Sequence, residues 1–472
     1  MNGGEAALFI RPLITRGLPL AALRPETADR SMTQSHPPRN SPDANGSECP
    51  PVPDSSERPP APINRRRFLG RSAVAGLAVG HSAIGNVTAM AATTALGLAA
   101  QSATAAATEF PVRRVRLGLI GAGNRGLNLA RTLLELDGVE LVAVADTEER
   151  HRERARAVIR KGSGVEPAGF NEANALLESR AERLDAVILA LPCDLHAPVA
   201  LEALRAGQSI YLEKPLAPTL EECDALLAEA RKRPDLAVHV GYQRRSHPRY
   251  IEARALLERG ELGRLLTARG SWISSNGPLD GHHGWLSRRA RSGDWMVEQA
   301  VHVWDVVHWF KGSPPARAFG MGRRDLFAAT QPERDVTDEY TVTLEWADGF
   351  RLEFRQSWID PADDAFTGVT LQLVGERGGL DLASGRLTFR DRSQPRRVLH
   401  PGTLPDTRLA LEAFVAALRT DQPGLARPPL TLEEAGIATR IGLLVRRAVD
   451  ERRIVTWDEV AHVNASQVVA TA

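Results

Sequence analysis

Residues 115–146 constrain the fold of this chain most strongly, because they combine a strand, a glycine turn, a helix and a second strand in one short unit. The apolar run VRLGLI leads into GAGNRG at 121–126, a helical pattern follows, and VELVAVA ends at Asp146. The first glycine allows a tight turn, the second lets backbone amides approach a pyrophosphate, and the third lets the helix pack closely on the strand. Because a helix N-terminus carries partial positive charge, this unit predicts a dinucleotide-binding site.

The residue after the second strand indicates which dinucleotide the unit binds. A carboxylate at Asp146 can accept hydrogen bonds from the ribose hydroxyls and repels the 2′-phosphate of NADP, so NAD is the predicted cofactor. Arg150 and Arg152 follow closely and keep NADP as the alternative. Within the turn we predict cofactor contacts from Gly121, Gly123, Asn124, Arg125 and Gly126. For the arginines, a solvated surface position is an equally good interpretation.

The first 109 residues differ from the rest of the chain. Residues 1–63 are rich in Pro, Ser, Asn and Glu with little apolar periodicity, which predicts a disordered extension. At 65–69, RRRFL leads into an uncharged stretch rich in Ala, Gly and Val, which resembles a twin-arginine export signal, so we predict a signal peptide and linker at 64–109. A membrane anchor is the alternative, although Gly, His81 and Asn86 interrupt the apolar run. The predicted location is the periplasm, with a membrane tether only if the signal stays uncleaved.

Charge and cysteine content exclude several other classes of protein. The formal net charge is +1, which gives no indication of a nucleic-acid partner. The three cysteines form no CxxC motif, so neither a disulfide framework nor a thiolate zinc site is predicted. The adjacent histidines at 282 and 283 lack a third ligand at suitable spacing, and we predict no metal site.

Further motifs follow the glycine turn: LPCDLHAP at 191–198, EKPL at 213–216 and VGYQRR at 240–245. With GLIGAGNRG at 118–126 and the segment around 292–305, they resemble the Gfo/Idh/MocA family of oxidoreductases. The resemblance implies an α/β fold in which a Rossmann domain with a doubly wound parallel sheet occupies 112–240. It also implies a C-terminal α+β domain at 241–465, with a large, mainly antiparallel open sheet used for substrate binding and oligomerisation.

The EKP motif carries the first predicted catalytic group. A lysine at the end of a sheet strand, beside a nicotinamide that becomes cationic on oxidation, is expected to have a lowered pKa and to orient or deprotonate a sugar hydroxyl. The resemblance implies that Lys214 is this lysine, with Glu213, Pro192 and His196 also at the cofactor. A surface lysine in a strand-to-helix turn is the alternative interpretation.

The segment at 292–305 carries the second predicted catalytic group. Glu298, His302 and Asp305 are spaced to form one polar stripe on a helix. A carboxylate one turn before a histidine can fix its tautomer and raise its basicity, so we predict His302 as general base and Glu298 as its partner. Relatives usually carry Asp in the place of Glu298. A buried polar pair with a structural role is the alternative.

The substrate pocket is predicted from aromatic and polar residues near these motifs. Tryptophan and histidine among glycines suit a sugar, because an apolar ring covers its C–H face and donors meet its hydroxyls. The predicted substrate contacts are Trp272, His283, Trp285 and Asp305, and the family resemblance implies that Tyr242 and Arg245 line the same cleft. Ordinary packing between domains is the alternative for Tyr242 and Arg245.

Together these features predict an exported NAD(P)-dependent oxidoreductase that acts on a sugar, sugar derivative or polyol by hydride transfer. Because twin-arginine export carries folded proteins, the cofactor is predicted to be tightly bound. One alternative is a glycosidase that uses bound NAD in an oxidation–elimination reaction, and another is a non-catalytic dinucleotide-binding module. We expect a small carbohydrate as partner, no nucleic acid, no membrane after signal cleavage, and a homodimer or homotetramer formed through the open sheet face.

Overall fold

The computed structural model describes residues 113–179, 183–275, 282–401, 406–420 and 429–461. The predicted extension at 1–63 and the predicted signal and linker at 64–109 lie outside these residues. Within the described part of the chain, no helix is both long and apolar enough to cross a membrane.

The first domain contains a parallel sheet between two layers of helices. Its six described strands are β1 (Val115–Ile120), β2 (Val139–Ala145), β3 (Ala168–Phe170), β4 (Ala186–Leu189), β5 (Ser209–Leu212) and β6 (Val238–Val240), and its helices are α1 (Asn124–Leu133), α2 (Glu149–Ser163), α3 (Ala173–Glu178), α4 (His196–Arg205) and α5 (Leu220–Lys232). The strand order is β3-β2-β1-β4-β5-β6 and every pair is parallel. This order confirms the predicted doubly wound Rossmann sheet, whose binding crevice opens between β1 and β4.

The apolar runs in the sequence become the centre of this sheet. Helices cover both faces, so successive strand residues are buried rather than alternating between core and solvent. Leu117 and Leu119 on one face of β1 and Val187 on the neighbouring β4 are all fully buried. The carboxyl ends of β1, β4 and β5 therefore meet along one rigid edge.

The second domain is built on a mixed sheet. Its nine described strands are β7 (Leu265–Ile273), β8 (Arg317–Arg323), β9 (Glu339–Glu345), β10 (Arg351–Ser357), β11 (Gly368–Gly375), β12 (Gly378–Asp381), β13 (Arg386–Phe389), β14 (Arg397–Val398) and β15 (Val455–Thr456). They lie in the order β14-β13-β12-β11-β7-β10-β9-β8-β15, and only β7 and β10 pair in parallel. The sheet is thus mainly antiparallel, as predicted. The alternation of apolar and polar residues on both sides of Asp348 and Gly349 predicts a hairpin, and β9 and β10 form it.

One face of this sheet is covered and the other is open. Along β8 and β9 buried and exposed residues alternate, and Phe319 and Met321 on the exposed side of β8 keep 41% and 61% of their surface accessible. The buried face packs mainly against helix α11 (Leu432–Glu451), which begins at a capping box formed by Thr431 and Glu434.

The remaining helices connect the two sheets. They are α6 (Pro248–Glu258), α7 (Arg289–Ser292), α8 (Trp295–Glu298), α9 (Val301–Lys311), α10 (Asp406–Leu418) and α12 (Asp458–Ala461). Helix α11 contacts α5 of the first domain as well as α8 and α9. Helix α10 returns to the first domain, where the Phe414 ring lies 5.6 Å from the Tyr211 ring of β5. The chain therefore crosses between the domains twice, and both crossings stiffen the junction around β5.

Candidate active site

The three glycines of the turn after β1 have three different structural roles. Gly121 adopts a φ of +88°, and a Cβ there would overlap the Ala190 carbonyl oxygen. At Gly126 a Cβ would overlap the Gly121 carbonyl oxygen, so α1 packs against the turn only because this position lacks a side chain. At Gly123 a Cβ would meet nothing within 4 Å. The protein leaves open space at the one glycine that is predicted to face the pyrophosphate, and these residues therefore fit a dinucleotide.

Asp146 lies at the end of β2 beside this turn. Its carboxylate accepts hydrogen bonds from the Ala122 amide at 2.7 Å and the Glu148 amide at 2.9 Å. These contacts fix the carboxylate next to the glycine turn, where ribose hydroxyls would reach it. Asn124 is the exposed first residue of α1, and its side-chain oxygen lies 3.5 Å from Arg154 Nη2.

A salt bridge joins the glycine turn to the EKP turn. Arg125 Nε and Nη2 both lie 2.7 Å from Glu213 Oε1, and Glu213 is 5% exposed. Burial would lower the pKa of Arg125, but the Glu213 carboxylate outweighs it and raises that pKa. Arg125 was predicted to meet a phosphate, whereas the structure pairs it with Glu213 and so holds the ends of β1 and β5 together.

Lys214 extends from the end of β5 and pairs with Glu298. Its Nζ donates to Glu298 Oε1 at 2.6 Å and to the Glu298 carbonyl oxygen at 2.7 Å, and the two side chains are 14% and 15% exposed. Burial would lower the pKa of Lys214, but the Glu298 carboxylate raises it above the usual value. The predicted lowering rests on a cationic nicotinamide beside the amine, and the pairing with Glu298 acts on the pKa in the opposite direction.

His302 also differs from its prediction, both in its partner and in the direction of its pKa shift. Helix α8 ends at Glu298 and α9 begins at Val301, so the expected continuous stripe is broken and Glu298 bonds Lys214 instead of His302. His302 Nδ1 is buried, and no described residue gives it a hydrogen-bond partner. Burial and the nearby Lys214 charge place the pKa of His302 well below its usual range. The predicted rise in basicity is therefore wrong: burial favours the neutral imidazole, and Nδ1 has no hydrogen-bond partner among the described residues.

Aromatic rings enclose His302. The Trp272 ring of β7 stacks on it at 6.1 Å with an interplanar angle of 25°, and the Tyr242 ring meets it edge-on at 6.1 Å. Trp285 lies half-buried in a 3-10 turn over His282–Ser287. The side chain of His283, a predicted substrate contact, lies outside the described residues.

Two predicted substrate contacts instead bind each other. Arg245 Nη2 lies 2.8 Å from Asp305 Oδ1, Arg245 Nη1 lies 2.9 Å from Glu434 Oε1, and the Arg245 and Asp305 side chains are 2% and 1% exposed. A buried bidentate pair of this kind fixes α9 and α11 against the turn after β6. Arg245 and Asp305 thus position His302, and the structure does not open them to a substrate.

His196 is hydrogen-bonded to the EKP turn. Its Nδ1 lies 2.7 Å from the Pro215 carbonyl oxygen and its Nε2 lies 2.9 Å from the Leu191 carbonyl oxygen. At 1% exposure, His196 is a buried link between the turns after β4 and β5 rather than an open cofactor contact. Pro192 is half-buried beside it at the start of the turn that leads into α4.

Arg244, which was not among the predicted site residues, lies next to the aromatic rings around His302. Its guanidinium carbon is 5.2 Å from the centre of the Trp272 ring. The doubled arginine of VGYQRR was the available signal, but spacing alone could not tell which arginine is buried in a pair. Across the described part of the chain, no group of three or more His, Cys, Asp or Glu side chains is arranged to hold a metal ion.

Comparison with known proteins identifies both domains. A family model described as an oxidoreductase family with an NAD-binding Rossmann fold matches residues 115–242. The model of the GFO/IDH/MocA C-terminal domain matches residues 250–381. Together these two matches span more than half of the 472 residues.

Curated relatives match part of the chain. Inositol 2-dehydrogenase 4 of Saccharopolyspora erythraea is 31% identical over 242 residues, which cover 50% of this chain and 65% of that protein. A glycosyl hydrolase family 109 protein of a Shewanella species is 31% identical over 164 residues, which cover 34% of this chain and 35% of that protein. The chain thus spans less than two thirds of the length of each.

The whole described fold also resembles solved structures. The crystal structure of scyllo-inositol dehydrogenase from Lactobacillus casei, with bound NAD(H) and scyllo-inositol, has 19% identity and a TM-score of 0.60, covering 73% of this chain and 100% of that one. At this identity the likeness concerns the fold. With the two family models and the glycine turn that fits a dinucleotide, it leads to one conclusion: the chain belongs to the Gfo/Idh/MocA family of NAD-binding oxidoreductases.

Proposed function

We propose that this protein oxidises a secondary alcohol of a sugar or cyclic polyol. One observation carries the proposal: at the edge of the Rossmann sheet where the glycine turn opens, the Lys214–Glu298 pair lies near His302, whose pKa is lowered by burial and by the Lys214 charge. NAD, when bound, accepts the hydride that leaves the alcohol carbon. The protein must then bind the alcohol, hold its oxygen and remove its proton.

Each side chain has a distinct part in that task. Lys214 is kept cationic by Glu298, so it can donate a hydrogen bond to the alcohol oxygen and stabilise the negative charge that develops there. Burial favours the neutral form of His302, so a ring nitrogen can accept the hydroxyl proton. The C–H bond and the O–H bond break together, and a C=O bond forms. Arg245, Asp305 and His196 keep these groups in place.

The proposed substrate class comes from the pocket and the relatives. Trp272 and Trp285 offer apolar rings that suit the C–H face of a ring-shaped polyol. The curated relative with the longest match given above is named an inositol 2-dehydrogenase. Cyclic polyols and hexoses are therefore the first compounds to test.

A direct test is to mix purified protein and NAD with a panel of inositols and hexoses and to follow NADH absorbance. We expect net NADH formation, or reduction of dinucleotide that co-purifies with the protein, with at least one panel member. The similarity to a glycosyl hydrolase family 109 protein favours a second candidate, in which oxidation is transient and a glycosidic bond is cleaved. Release of nitrophenol from nitrophenyl glycosides without net NADH would support that candidate. Neither signal, with NAD bound, would support a non-catalytic binding module.

We also propose that the protein is exported in folded form with its cofactor enclosed. The support is the sequence RRRFL at 65–69 ahead of an uncharged stretch. The double variant Arg65→Lys/Arg66→Lys is expected to remove the protein and its dinucleotide from the periplasmic fraction, while Arg67→Lys is the matched control. Unchanged fractionation of the double variant would contradict export by this route.

We further infer that a second copy of the chain covers the open face of the nine-stranded sheet, where Phe319 and Met321 are exposed. Sedimentation analysis is expected to give a dimer or tetramer. A monomer at micromolar concentration would contradict this inference.

A further inference from the structure

One cation at the candidate site, Arg244, has no acid bonded to it among the described residues. Arg125 is paired with Glu213 and Lys214 with Glu298. Arg244 is the third cation whose charge reaches His302, and it adds to the burial and the Lys214 charge that lower the pKa of that imidazole. Among the described residues, no acid forms a salt bridge or hydrogen bond with Arg244.

Asp305 does not act as the partner of Arg244. Burial raises the pKa of Asp305, whereas the positive charges of Arg245 and, more weakly, Arg244 lower it. However, the Asp305 carboxylate is bound by Arg245, with Nε and Nη2 at 3.0 and 2.8 Å from its Oδ1. Among the described residues, the Arg244 guanidinium near the proposed proton acceptor therefore has no hydrogen-bonded acid.

Aromatic rings hold the Arg244 guanidinium in place. Its Cζ lies 5.2 Å from the centre of the Trp272 ring and 5.9 Å from that of the Tyr250 ring. A cation over a ring is attracted through the ring face, and this contact uses none of the five N–H donors of the guanidinium. The Trp272 ring also stacks on His302, so the fork of donors is oriented within the same aromatic cluster as the proton acceptor.

We propose that Arg244 binds a carboxylate of the substrate, so that the site takes a sugar acid in preference to a neutral sugar or polyol. This inference rests on the proposed function and specifies its substrate class. A planar guanidinium matches a carboxylate with two parallel hydrogen bonds. A dianionic phosphate would call for a second free cation, and Arg125 and Lys214 are already paired. Oxidised nicotinamide adds another positive charge to the site, which favours an anionic partner further.

The test measures binding separately from turnover. Titration calorimetry of the NAD-loaded protein would compare D-glucuronate, D-galacturonate and D-gluconate with D-glucose, D-galactose and myo-inositol, and D-glucose 6-phosphate would serve as the phosphate arm. We expect at least one sugar acid to bind about tenfold or more tightly than its neutral counterpart, as for a charge-assisted bidentate contact. The preference should weaken as salt is added.

Variants assign that preference to one side chain. Arg244→Gln is expected to abolish it, and Arg244→Lys to retain part of it, because the charge remains but the fork is lost. Arg231→Gln is the matched control, since that arginine of α5 is 64% exposed and pairs with Glu433 of α11. If Arg244→Gln fails to fold, two measurements still test the proposal. They are the binding preference of the Arg244→Lys variant and the ratio of sugar-acid to neutral-sugar affinity in the unmodified protein.

Each outcome bears on the proposal. Equal binding of acids and neutral sugars overturns it, and is also the result expected if an acid outside the described residues already neutralises Arg244. Tighter binding of the phosphate than of every sugar acid overturns it too, as does the absence of binding by any sugar acid. Binding of sugar acids through Arg244 without any NAD reduction would support this inference while the proposed oxidoreductase function fails. Oxidation of neutral polyols alone would support the proposed oxidoreductase function while this inference fails.

Discussion

Replacement of Lys214 by methionine is expected to lower turnover by about 10²- to 10⁴-fold while NAD still binds. Methionine removes the only charge that Lys214 offers to the alcohol oxygen but keeps a similar length and volume. The glycine turn and Asp146 are untouched, so cofactor affinity should change little. Steady-state kinetics with the best compound of the panel, together with NAD titration, measures the two effects separately.

The same substitution also leaves the Glu298 carboxylate without its cation. Loss of one partner of a largely buried ion pair costs up to about 3–5 kcal/mol of stability, and the residual exposure of this pair places the expected cost near the lower end. The double variant Lys214→Met/Glu298→Gln is therefore expected to recover much of the stability, measured by urea unfolding, without recovering turnover. This combination distinguishes a catalytic lysine from one that is needed only for folding.

Lys232→Met is the matched control, because Lys232 is 68% exposed and pairs with Glu229 one helical turn away. Its stability and turnover should stay close to those of the unmodified protein. Near-normal turnover of the Lys214→Met/Glu298→Gln variant would overturn the role assigned to Lys214.

Structural features that depend on residues close together in the sequence could be predicted. Gly121, Gly126 and Asp146 act within one βαβ unit, so their spacing was enough to predict both the turn and the cofactor. Likewise, the position of Lys214 follows from strand β5, which ends two residues earlier at Leu212. The alternation on both sides of Asp348 and Gly349 was enough to predict the β9–β10 hairpin.

Pairings between distant residues could not be predicted in the same way. Glu298 stands one helical turn before His302 in the sequence, and local spacing therefore favoured that partner. The break after α8 instead places it against Lys214, 84 positions earlier in the chain. Arg125 and Arg245 were likewise predicted to bind ligands, because nothing local indicates that Glu213 and Asp305 neutralise them. In each of these pairs the two partners lie at least 60 positions apart in the sequence.

The second large effect concerns the glycine turn itself. Gly126→Ala is expected to lower stability by about 1–3 kcal/mol, because its Cβ would overlap the Gly121 carbonyl oxygen and force α1 away from the sheet. Since that shift also moves the amides of the turn, NAD affinity should fall with it. Urea unfolding and NAD titration of the same preparation measure both quantities.

Gly123→Ala tests whether the open space in the turn belongs to the cofactor. Gly123 has a φ of −63° and a ψ of −165°, which alanine adopts without strain, and its Cβ would meet no atom of the protein within 4 Å. The unliganded protein should therefore be as stable as the unmodified one, or more stable by about 0.4–1 kcal/mol because the unfolded chain loses freedom. NAD affinity should nevertheless fall by about tenfold or more, since the methyl group occupies the approach to the turn amides. Unchanged NAD affinity in this variant would mean that the pyrophosphate does not lie against this turn, and the proposed positions of Lys214 and His302 relative to the cofactor would then lose their basis.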